Sequence, residues 1–96
     1  MKFIGFWEFD ANDDEKYIEK FRQMTAEREK GTATSPKLVF GPYLFEGERA
    51  GFSVYETDDP DKLMALGIFF SPVLTIRFVP IIESARFAEL YYKMKQ

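Results

Sequence analysis

The chain opens with Phe3-Ile4-Gly5-Phe6-Trp7 and closes that run at Phe9, a stretch of strand-forming residues that is apolar on both alternations. Side chains of a strand point alternately to the two faces of its sheet, so a strand with one wet face alternates apolar with polar. This strand asks for cover on both faces. The remainder of the chain holds three helices at most, too few to cover both. The second face is therefore expected to meet another copy of the protein.

Ninety-six residues make a single domain, 1–96, with one core. Aromatic residues reach 18% and eleven of them are Phe, which leaves apolar area to spare for an interface. Sixteen acidic against thirteen basic residues give a net charge of −3. Nucleic acid is not an expected partner, because binding a polyphosphate rests on clustered Lys and Arg. No apolar run approaches the ~20 residues of a membrane-spanning helix, so no membrane partner is expected either. Glu8 and Asp10 interrupt the N-terminal apolar stretch before a signal-peptide core can form, which makes a cytoplasmic protein the default. The chain has no Cys and no His. That removes thiolate nucleophiles, disulfides, the usual zinc sites, haem on a proximal His and Ser-His-Asp catalysis. No Gly-rich phosphate loop accompanies the aromatics, and no cofactor is expected.

Asn12-Asp13-Asp14-Glu15 reads as a helix start, with short polar caps and acids suited to the positive end of the helix dipole. Tyr17, Ile18, Phe21, Met24 and Thr25 form the apolar stripe of a helix ending near Lys30, with Gly31 as its stop. Residues 32–36 lack periodicity and read as a mobile loop. Leu38 to Phe45 is a second strand, placed at an edge or bulge by Pro42, which has no N–H for a ladder. Glu46-Gly47-Glu48-Arg49 is a hairpin turn, and a third strand runs from Ala50 to Thr57. Asp59-Pro60 starts a short helix that carries Leu63, Met64, Leu66 and Phe70 inward, ended by Ser71-Pro72. Val73 to Val79 is the fourth strand, closed by Pro80. Leu74, Ile76 and Phe78 on one alternation suit a helix-covered core, whereas Val73, Thr75, Arg77 and Val79 are mixed. Ser84 caps a last helix with Phe87, Leu90, Tyr91 and Met94 on one stripe.

The order is β-α-β-β-α-β plus a C-terminal helix, an α+β domain with an antiparallel sheet and two helices on one face. With Met1-Lys2-Phe3 and Trp7-Glu8 at its start, Val54-Tyr55-Glu56-Thr57-Asp58-Asp59-Pro60 at a strand-to-helix join and Phe78-Val79-Pro80-Ile81-Ile82 after the fourth strand, the chain resembles the dimeric α/β-barrel superfamily of ferredoxin-like domains. Within it, the likeness is to a group of small bacterial and archaeal proteins of unknown function. The resemblance implies a homodimer through the sheet face. The superfamily includes cofactor-free monooxygenases, lactone isomerases, haem enzymes and ligand-sensing domains; the haem branch uses a proximal His that this chain lacks.

Two acidic clusters have plain structural readings. Asp10 to Glu15 fails as a calcium loop, because Glu15 stands where the turn needs Gly and Phe21 where a bidentate Glu is needed. Asp58, Asp59 and Asp61 suit a helix cap, and no metal site is expected. The sharper candidates are Glu8 on the first strand, Ser53 and Tyr55 on the third, and Thr75 and Arg77 on the fourth, expected to project together between two sheets. As a ligand site they would offer Arg77 to an anion and Glu8 as a proton acceptor. As an interface, Glu8 and Arg77 would pair and set the register of the dimer. Glu56 is a second candidate base. Two function classes follow: a non-catalytic homodimer that binds a small organic molecule or a protein, and a cofactor-independent monooxygenase or isomerase acting on an aromatic or enol substrate.

Overall fold

The computed structural model describes residues 1–31 and 34–95. Strand β1 (Lys2–Glu8) leads through a 3-10 turn, Ala11–Asp13, into helix α1 (Asp14–Lys30). The Asp10 carboxylate accepts from the Asn12 N–H at 2.8 Å, and Gly31 ends α1 at φ 72° with its N–H on the Arg28 carbonyl. A left-handed residue at that position favours Gly, so the sequence stop and the structural stop coincide. Of the expected loop, Thr32 and Ala33 lie outside the described residues, and Pro36 at its end is buried.

Strands β2 (Lys37–Leu44) and β3 (Ala50–Glu56) form a hairpin, followed by α2 (Pro60–Phe70), β4 (Thr75–Ile81) and α3 (Ala85–Lys95). Asp59 caps α2, accepting from the Asp61 N–H at 2.9 Å, with Pro60 at the first helical position. The sheet order is β2-β3-β1-β4 and every neighbouring pair is antiparallel. Each helical crossover, β1 to β2 and β3 to β4, therefore spans one intervening strand. Pro42 sits on an edge strand, within the register shift between Phe40 and Tyr43, where its missing N–H is tolerated. Pro80 does not close β4. It pairs opposite Phe3, tolerated because β4 is the other edge, and the strand begins at Thr75 rather than Val73.

The core lies on one side of the sheet, where Trp7, Met24, Tyr55, Leu66, Phe70 and Leu74 pack with Tyr17, Phe21, Ile76 and Phe78. The Trp7 ring centroid is 5.3 Å from Phe21 and 5.7 Å from Tyr17. It lies over Gly51, its cross-strand partner, where a Cβ would stand 2.7 Å from the indole and would strike the Tyr43 carbonyl. The helix stripes are narrower than their apolar residues imply. α1 turns in Tyr17, Phe21 and Met24 but leaves Ile18 and Thr25 outside. α2 turns in Leu66 and Phe70 and leaves Met64 66% exposed, because the buried row passes three to four residues apart and Met64 lies off it.

A bidentate pair from Arg49 to Asp14, at 2.7 and 3.0 Å, fastens the β2–β3 turn to the start of α1. The guanidinium hydrogen bond holds the Asp14 carboxyl below its ordinary value of 3.8. Because the folded-state value is depressed, the stabilisation is complete above about 4 and is lost as pH falls through that lower value. Both groups are half exposed, so the contribution is small. Urea melts of Asp14→Asn are expected to show a small deficit against the parent at pH 7 and a smaller one at pH 3. An equal deficit at both pH values would refute the pairing.

Candidate functional site

The other sheet face carries Ile4, Phe6 and Glu8 from β1, Phe52 and Val54 from β3, and Arg77 and Val79 from β4, set together by the ladder register. Phe40 and Tyr43 of β2 join it and stand 51% and 54% exposed. Phe52 is the centre of an aromatic wall, with ring centroids of Phe45, Phe40 and Tyr43 at 5.9, 6.1 and 6.2 Å. Among the described residues the buried core cluster belongs to the opposite face.

At one end of the face Glu8 stands opposite Thr75, and Phe6 opposite Arg77. These four line a cleft of about 380 Å³ together with Phe45 and Ala50. The Arg77 guanidinium lies 5.2 Å from the Phe6 ring centroid, a cation–π arrangement that holds the charge over the apolar floor. Glu8 and Arg77 are diagonal rather than directly opposed, a spacing of about 7–8 Å between cross-strand neighbours. Within one protomer neither forms an ion pair among the described residues. A carboxylate and a guanidinium thus flank an apolar, aromatic hollow with their charges available to something outside the protomer.

Glu8, Thr75 and Arg77 therefore come together, and Ser53 and Tyr55 do not join them. Ser53 opposes Gly5 and Tyr55 opposes Phe3, which puts both on the helix-covered face, 0% and 3% exposed. The polarity of Ser53 and Tyr55 misassigned the parity of β3, and Gly5 carries the signal that would have corrected it. A Cβ at Gly5 would stand 3.0 Å from the Tyr55 ring, so the missing side chain makes room for Tyr55 on the core side. The aromatic wall of Phe40, Tyr43, Phe45 and Phe52 was the part of the site that sequence reasoning did not assemble, because the shifts in β2 break its alternation.

Several other carboxylates have local partners. Asp10 and Asp59 are caps, Asp14 pairs with Arg49, and Asp58 receives the Met1 amino group at 2.8 Å. Glu56 lies at the far end of the outer face, opposite Lys2 and Lys37. Among the described residues no three acidic groups converge as a metal site would require, and no helix is long and apolar enough to cross a membrane.

The molecule is a small α+β protein whose open antiparallel sheet is helix-covered on one face and aromatic on the other. Residues 1–95 match the family described as Domain of unknown function (DUF3303), and the chain belongs to that family. No curated protein matches it.

Proposed function

We propose that the protein is a homodimer of ferredoxin-like domains, two sheets facing each other as an α/β barrel, that binds a small aromatic anion such as a carboxylate or enolate between them without catalysis. Reading the sheet from its other edge, β4-β1-β3-β2 with two one-strand crossovers is the order a split βαβ unit produces. The observation that carries the ligand reading is the cleft in which Arg77 stands over Phe6 beside an unpaired Glu8. An apolar hollow with a few convergent polar groups is the usual form of a small-molecule site. The guanidinium selects the anion and the rings take its planar body.

A thermal-shift screen of benzoate, hydroxybenzoates and stable enols tests this, since a ligand that binds only the folded state raises its melting temperature. Arg77→Met is expected to weaken the best binder by about 10- to 100-fold, the worth of a charge-assisted hydrogen bond. If Arg77 instead only sets dimer register with Glu8, no compound will shift the melt and Arg77→Met will weaken the dimer alone. A second reading, a cofactor-independent monooxygenase or isomerase, is favoured by the unpaired Glu8 carboxylate on the same cleft, placed to take a proton from an enol or phenol whose developing charge Arg77 would steady. For an enzyme, Glu8→Gln keeps binding and abolishes turnover; for a binder it changes neither class of result.

A further inference from the structure

The C-terminal helix stands apart from the body. None of the residues of α3 is buried, and Phe87, Tyr92 and Met94 are 73%, 68% and 82% exposed. The molecule extends 56 Å along its long axis against 32 and 19 Å, and its radius of gyration is 15.9 Å. A compact chain of this length has about 12.5 Å. An isolated helix of eleven residues is marginal in water, so α3 needs a surface to rest on. We infer that α3 is an exchanged arm, whose Phe87-Leu90-Tyr91-Met94 stripe docks in the groove between α2 and β4 of a second copy of the chain.

Three observations select this occupant. The large apolar side chains that remain exposed fall, apart from Met1, Ile18 and Ile82, on the outer sheet and its β2 hairpin, on α2, and on α3. Once two sheets face each other, α2 and α3 are the surfaces left without cover. The groove suits a helix: Leu63, Met64, Ile68, Ile76 and Phe78 line a hollow of about 540 Å³. Its floor opens at Gly67, where a Cβ would meet nothing within 4 Å, leaving room for a ring. α2 and α3 also match in length at eleven residues each.

The exit of the arm argues for exchange between copies. Ile81 is still paired with Lys2 in the ladder, and Lys2 Nζ lies 3.2 Å from Glu83. The Arg86 N–H donates to the Glu83 carbonyl at 2.9 Å and starts the helix immediately. These contacts carry the chain from β4 directly into α3, and as it stands the helix buries none of its residues on its own protomer, so a second copy can come to the arm without moving it. Two docked helices, each about 16 Å long, would add apolar contact to that of the facing sheets.

This inference rests on the dimer proposed above, and the test separates the two. The chain has no Cys, so Ile68→Cys with Tyr91→Cys supplies the only thiols. Oxidation of the double variant is expected to double its mass on a non-reducing denaturing gel, with each single variant remaining at monomer mass. Sedimentation of the unmodified chain is read beside it. A dimer by sedimentation whose bridge forms within one chain, or not at all, overturns the exchanged arm and leaves the sheet dimer standing. A monomer by sedimentation at 10–50 μM concentrations (about the range of ordinary assays) overturns both. Should the double variant misfold, amide exchange on the unmodified chain decides. Residues 87–94 are expected to be protected in the dimer and to lose at least tenfold protection on dilution; protection that ignores concentration overturns the exchange.

Discussion

Trp7→Ala is expected to cost about 3–5 kcal/mol, the range for truncating a buried aromatic side chain. For a domain of this size that corresponds to a fall in melting temperature on the order of 15–30 °C. The reason is specific to the site. Trp7 is 2% exposed, meets Tyr17 and Phe21 of α1, and fills the space that Gly51 leaves across the ladder. Truncation therefore opens a cavity between sheet and helix that neither neighbour can close. Because the total stability of a small domain is about 5–15 kcal/mol, the variant is expected to be largely unfolded at 37 °C or close to it. Trp7 is the single tryptophan, so circular dichroism rather than fluorescence is the suitable probe. A loss below about 1 kcal/mol in urea melts would contradict this account of the core.

The second large effect concerns assembly. Phe52→Asp places a carboxylate at the centre of the aromatic wall, where a facing sheet would bury it without a cation opposite. Losing an aromatic anchor and burying an unpaired charge are expected to weaken the dimer at least about 100-fold, and the change occurs twice in a two-fold interface. The monomer is expected to keep its fold, since Phe52 points away from the core. Sedimentation equilibrium of parent and variant reads the difference, with circular dichroism as the control. A variant that dimerises as tightly as the parent would show that this face is not the interface.

Much of the fold was legible because its signals are local. Asp10 and Asp59 cap helices through hydrogen bonds two residues away, Gly31 stops α1 through its own φ, and Pro42 marks an edge through its missing N–H. The candidate site was legible in part. Glu8, Thr75 and Arg77 come from two strands that pair directly, whereas the parity of β3 depends on which of its alternations meets Gly5 and Trp7. No residue within β3 announces that choice.

The sequence by itself determined the element order and the demand for cover on two faces, because both follow from short-range periodicity and from the chain's apolar content. Only the tertiary structure decided which side chains share a face and which elements remain uncovered. It moved Ser53 and Tyr55 into the core, gathered Phe40, Tyr43, Phe45 and Phe52 on the outer face, and left α3 without a protomer surface to rest on. The physical reason is the period of two in a strand: a single residue of register exchanges its faces, and register is set by partners far away in the chain.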